Sequence, residues 1–227
     1  MGKYLIPIIL FLSFNTYAKD IHVMVIDTGI DGSNIQLLKY VQAGTYDDLH
    51  DDMGHGTHVA GIIAESGCPN LKIVSCKAFF HGHANGVKVI ECLQKALTSN
   101  IDVINYSGGG EEPLGGEYDV IKSLSDKGIK INVAAGNNNR DLGSPCYGYF
   151  PACFNNIENL TAVGSMKDNQ GHNYRSSFSN YGIPITHWEY GEDVLSTLPD
   201  NKYGRMTGTS MAAAMFTKHM VQEMCYK

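Results

Sequence analysis

Ile21-His22-Val23-Met24-Val25-Ile26-Asp27-Thr28-Gly29-Ile30 sets the architecture. The run up to Ile26 is almost continuously apolar, without the alternation of a strand that has one wet face. Such a run suits a central strand in a parallel sheet covered by helices on both sides. Asp27 then closes the strand, just before a turn at Gly29. A carboxylate there is costly to bury without a partner. The carboxyl ends of strands in open parallel sheets are also where binding sites collect.

Segments on either side repeat the pattern. Leu71–Cys76, Ile101–Asn105, Ile129–Ala135 and Leu160–Val163 read as further buried strands. His55–Glu65, Val87–Leu97, Tyr118–Ser125 and Met211–Met224 carry apolar residues at helical spacing. Strands alternating with helices predict a three-layer α/β domain: a mostly parallel, twisted sheet with helices on both faces. No repeat, low-complexity tract or linker interrupts it.

The 227 residues (24.8 kDa) suit one such domain, and 43% hydrophobic against 18% charged residues suits a packed core. The formal charge is −6 with no basic cluster, which excludes a nucleic-acid-binding face. Met1-Gly2-Lys3, the apolar run Tyr4–Phe14 and the small residues Thr16 and Ala18 predict a signal peptide over 1–18, cleaved after Ala18. That run is too short to span a bilayer. The expected product, residues 19–227, is secreted or periplasmic and free of the membrane. Its even set of cysteines at 68, 76, 92, 146, 153 and 225 then favours disulfides. Cys146 and Cys153 bracket a loop-like segment whose ends can meet, and are the expected pair; the other connectivities stay open.

Three segments could carry chemistry, and each has a plain alternative. Asp27-Thr28-Gly29 could be a turn; it also matches the aspartic-protease signature, but only one copy is present. In Asp51-Asp52-Met53-Gly54-His55-Gly56-Thr57-His58, glycines flank His55 at a helix start, where a neutral imidazole can act as a base. His55 and His58 are three apart, not four as in zinc-binding helices, so a metal site is disfavoured. Asp51 and Asp52 read as a solvated loop, and His81-Gly82-His83 as a polar loop between strand and helix. Ser210, in Gly208-Thr209-Ser210-Met211-Ala212, could be an ordinary helix cap.

Taken together the segments resemble the subtilisin-like serine proteases, a family defined by Asp, His and Ser blocks in that order. The match rests on Asp27-Thr28-Gly29-Ile30, on His55-Gly56-Thr57-His58-Val59-Ala60-Gly61 and on Gly208-Thr209-Ser210-Met211-Ala212. Ala134-Ala135-Gly136-Asn137 resembles the family's oxyanion segment, and Asn105-Tyr106-Ser107-Gly108-Gly109 its substrate-binding strand.

The resemblance implies a serine endopeptidase acting on polypeptides. Ser210 is then the nucleophile, His55 the base and Asp27 its orienting acid. Asn137 and the Ser210 N–H would hold the oxyanion. Ser107, Gly108, Gly109, Ala135 and Gly136 would bind substrate as an added strand. Glycines there are expected to leave room for the substrate side chain, so apolar residues should be tolerated at the cleavage position. No cofactor is required by this chemistry. Calcium is common in the family, but no dense acidic loop stands out here.

Departures from the family pattern carry expectations too. Only residues 19–26 separate the cleavage point from Asp27, which predicts a minimal catalytic domain without a pro-domain. Folding or restraint would then fall to a separate foldase or inhibitor acting on a monomer. Ala214 stands where the family usually has Pro, and Glu189-Tyr190-Gly191 where it has Ala-Pro-Gly. Two rival functions remain: a weakly catalytic relative that binds, and an esterase built on the same triad.

Overall fold

The computed structural model describes residues 19–42 and 48–227. The signal peptide predicted over 1–18 lies outside the described residues. Four strands run parallel through the centre: β1 (Ile21–Asp27), β2 (Leu71–Lys77), β5 (Val103–Tyr106) and β6 (Lys130–Ala134). They join β7 (Leu160–Asn169), β8 (His172–Arg175) and β9 (Ile185–Tyr190) in one seven-stranded sheet. Its order is β2-β1-β5-β6-β7-β8, with β9 also pairing β7. The β7–β8 pairing alone is antiparallel.

The near-continuous apolar strands have the predicted consequence. In β1, Val23 and Val25 face one core while Met24 and Ile26 face the other. The first core takes in α1 (His55–Ala64) and α4 (Thr209–Cys225). The second takes in α2 (Gly86–Thr98) and α3 (Glu117–Asp126). Two hydrophobic layers around one sheet give the expected three-layer α/β architecture.

The remaining elements are antiparallel hairpins. β3 (Phe79–Phe80) pairs with β4 (His83–Ala84), and β10 (Val194–Leu198) with β11 (Lys202–Met206). His81-Gly82-His83 is therefore the tip of a hairpin rather than a simple strand-to-helix loop: His81 at φ 49 and Gly82 at φ 81 turn the chain. β10 clamps α1 from outside. Ser196 Oγ donates to His58 O at 2.7 Å, and Thr197 Oγ1 to Thr57 O at 2.9 Å.

All six cysteines are bridged, as Cys68–Cys225, Cys76–Cys92 and Cys146–Cys153. The first joins the chain after α1 to the end of α4, and the second joins β2 to α2.

Candidate active site

Asp27 ends β1 and His55 begins α1, and the backbone brings them together because Gly56 has no side chain. A Cβ at Gly56 would overlap Gly29 O and stand 3.1 Å from Asp27 Cβ. Thr28 and Asp51 complete the junction. Thr28 Oγ1 donates to Asp51 Oδ1 at 2.8 Å and accepts from the Gly56 N–H at 2.9 Å. Asp51 Oδ1 also accepts from the N–H groups of Met53 and Gly54, and Oδ2 from the Thr57 N–H and hydroxyl.

Asp51 is therefore not part of a solvated loop. It is 5% exposed, and its carboxylate satisfies the amide groups at the start of α1, a role for which an acid at a helix N-terminus is suited. Asp52 is the more exposed of the two and pairs with Lys77 Nζ at 3.0 Å. With its oxygens committed to protein donors, Asp51 does not fit a calcium ligand.

His55 Nδ1 lies 2.7 Å from Asp27 Oδ1. Asp27 Oδ1 also accepts from the Thr28 N–H at 2.7 Å. The Asp27 side chain is 3% exposed while that of His55 is 31% exposed, so the acid is sealed and the ring still reaches solvent. Burial pulls the imidazole pKa down, but the charge and hydrogen bond of Asp27, assisted by Asp51, outweigh it and hold the pKa above its usual value. His58 goes the other way: burial lowers its pKa, and Nε2 faces the carbonyls of Val194 and Gly204 at 3.0 and 3.2 Å. It is a neutral buried donor tying α1 to the β10–β11 hairpin.

Ser210 is the second residue of α4. Its hydroxyl donates to Ser107 O at 3.0 Å, and the Ser107 hydroxyl donates back to Ser210 O at 3.1 Å. Behind this pair runs a buried polar chain that the sequence reading missed. Asn105 Nδ2 donates to Ser107 Oγ, Thr217 Oγ1 lies 2.8 Å from Asn105 Oδ1, and Asn132 Nδ2 donates to Thr217 Oγ1 at 2.9 Å. Asn105 is fully buried and committed to this chain.

The segment expected to hold the oxyanion, Ala134–Asn137, begins at the end of β6. Gly136, at φ 93, turns the chain so that its N–H donates to Thr209 Oγ1 at 3.1 Å. Asn137 is exposed, and its Oδ1 accepts from both the N–H and the hydroxyl of Thr209 at 2.9 Å. Asn180 braces the segment from behind: Nδ2 donates to Ala135 O, while Oδ1 accepts from the N–H groups of Asn138 and Arg140. Thr209 and Asn180 were not singled out from the sequence, because their roles depend on partners 72 and about 40 residues away.

Ser107–Gly109 and Ala135–Gly136 extend beyond the carboxyl ends of the adjacent strands β5 and β6. The glycines' own side-chain positions are filled by neighbours. A Cβ on Gly108 would overlap Phe79, one on Gly109 would meet Phe150 O and the Tyr149 ring, and one on Gly136 would meet Asn180 Nδ2 and the Tyr149 ring.

The sequence profile of the subtilase family matches residues 18–222. The major intracellular serine protease of Bacillus subtilis (strain 168) is 32% identical over 214 residues, covering 86% of this chain and 65% of that protein. Subtilisin E of the same organism is 32% identical over 208 residues, covering 86% of this chain and 52% of its own length. The chain thus spans about half to two thirds of these curated relatives. Among solved structures, a cold adapted subtilisin-like serine proteinase matches with a TM-score of 0.75 at 26% identity, covering 92% of this chain and 78% of that one. A lanthipeptide protease matches in fold, with a TM-score of 0.75 at 23% identity over 87% of this chain and 71% of that one. A parallel sheet with Asp27, His55 and Ser210 at its carboxyl edge, and a profile match over nearly the whole chain, lead to one assignment: the chain belongs to the subtilase family.

Proposed function

We propose that this chain is an exported serine endopeptidase that cleaves polypeptides through an acyl-enzyme on Ser210. The observation that carries the reading is the 2.7 Å contact between His55 Nδ1 and Asp27 Oδ1, sealed on the acid side and open on the base side. It leaves Nε2 as the proton acceptor of a neutral ring and gives the imidazolium a counter-charge once it forms.

The Ser210 hydroxyl turns about χ1 from Ser107 O toward His55 and gives its proton to Nε2. Oγ bonds to the substrate carbonyl carbon, and the oxygen takes up the negative charge. In this reading Asn137 Nδ2 and the Ser210 N–H, in the first turn of α4, donate to that oxygen. The imidazolium then protonates the leaving amine as the C–N bond breaks. Water attacks the ester, His55 accepts its proton and returns one to Ser210, and the acid is released. No step calls for a cofactor.

Export draws support from the charged, apolar and small-residue pattern of 1–18 and from the three bridges, which persist in oxidising compartments. A single experiment tests both parts. The full chain is expressed in an exporting host, the product recovered outside the cytoplasm, its N-terminus sequenced, and casein hydrolysis compared with Ser210→Ala. An N-terminus at Lys19 and hydrolysis abolished in the variant are expected. Hydrolysis that survives Ser210→Ala, or a folded wild type that is inert and unlabelled by a serine-directed phosphonate, refutes the enzyme. Hydrolysis of simple esters but not casein points to an esterase.

A further inference from the structure

We propose that Tyr149 sets which side chain is accepted at the cleavage position and restricts it to glycine, alanine and serine. This deepens the endopeptidase reading and rests on it. If a carbonyl carbon is held at Ser210 with its oxygen at Asn137, the side chain of that residue falls beside the segments next to those groups. These are Ser107–Gly109 on one side and Ala135–Gly136 on the other.

The Tyr149 ring fills the gap between them. A Cβ built on Gly109 would stand 2.7 Å from Tyr149 Cε1 and 2.9 Å from Cζ. One built on Gly136 would stand 2.8 Å from Cδ2 and Cε2. These contacts lie on opposite edges of the ring, so the ring spans the slot from one glycine to the other. The Phe79 ring closes the adjoining space at Gly108.

The chain on both sides of Tyr149 is tied down, so the backbone that carries the ring is fixed in place. Phe150 exchanges two backbone hydrogen bonds with Gly110, at 2.7 and 2.9 Å. The Cys153 N–H donates to Tyr149 O at 3.0 Å, and Arg140 Nη1 to Gly148 O at 3.1 Å. The Cys146–Cys153 bridge closes the segment. Tyr149 is half-buried, and that burial pushes its phenol up to about 12, so the ring is neutral at working pH. The earlier expectation of tolerance toward apolar residues follows from the glycines alone. With the ring in place, a large apolar residue has nowhere to go.

The test uses the purified full product and two peptides that differ only before the scissile bond, one with Ala and one with Phe. Wild type should cleave the Ala peptide at least about 100-fold better in kcat/KM, because the ring excludes a second aromatic group. Tyr149→Gly should invert the ratio, and Tyr149→Phe, which keeps the ring, should leave it unchanged. A wild type that cleaves after Phe as fast as after Ala overturns the inference even if Tyr149→Gly fails to fold. So does a folded Tyr149→Gly with the wild-type ratio. A wild type that cleaves neither peptide and resists serine-directed labelling removes the endopeptidase reading and this inference together, whereas a wrong preference with intact labelling removes this inference alone.

Discussion

Thr209 determines which way Asn137 faces. The Thr209 N–H can only donate, so the amide atom against it must be Oδ1, and Nδ2 is the end that donates to the oxyanion in the proposed reaction. That bond matters only once negative charge develops, so it should lower the barrier without tightening substrate binding. Asn137→Ala is expected to lower kcat by about 10²–10³ with KM nearly unchanged, a magnitude taken from loss of the oxyanion asparagine in a subtilisin. Steady-state kinetics on one peptide check this, and an unchanged kcat would remove Asn137 from the chemistry. Asp27, His55, Ser210 and Asn137 stood out as candidates from their short motifs. Thr209, Asn180 and the role of Asp51 did not, because a polar side chain in a motif does not reveal which distant backbone group it will satisfy.

The helices and inner strands were also legible, since hydrophobic period is a local property. The α1, α2, α3 and α4 segments fall within a residue or two of their expected spans. The tail of β7 beyond Val163, and the strands β3, β4, β8, β9, β10 and β11, escaped. They are short or partly polar, so no long apolar run announces them. The start of α3 holds an unexpected feature: Glu117 is 1% exposed. Burial raises its pKa from 4.5 to about 7, and the Leu114 N–H and Tyr106 hydroxyl only partly offset this. The unfolded chain therefore releases this proton first as pH rises. Stability falls between about pH 4.5 and 7, by about 3 kcal/mol in all, and stays lower above that window. Glu117→Gln should match wild type at pH 4 and be more stable at pH 8 by up to that amount. Urea denaturation at the two pH values decides, and equal stability at pH 8 would contradict a raised pKa.

The three bridges distribute their constraint unevenly over the molecule. Cys68–Cys225 closes a separation of 157 residues, against 16 for Cys76–Cys92. Chain entropy alone then favours the native state by about 5 kcal/mol for the long loop and about 3 kcal/mol for the short one. The long bridge also ties the chain just after α1 to the end of α4, the helices that begin with His55 and Thr209-Ser210. Replacing Cys68 and Cys225 by Ala should cost more stability than replacing Cys76 and Cys92, as read from urea midpoints at constant m; the reverse order would argue against the loop-length account. The even cysteine count after a signal-like start pointed to bridges, but only the nearest pair was foreseen. Along the chain, apolar runs and catalytic motifs are self-contained, and they were enough to specify a covered parallel sheet with Asp27, His55 and Ser210 at its edge. The fold alone settled that Cys68 meets Cys225, that Asp51 is buried, and that the Tyr149 ring lies between Gly109 and Gly136. Those contacts join residues brought close only when the layers pack, and no local pattern records which side chain will fill a gap that packing creates.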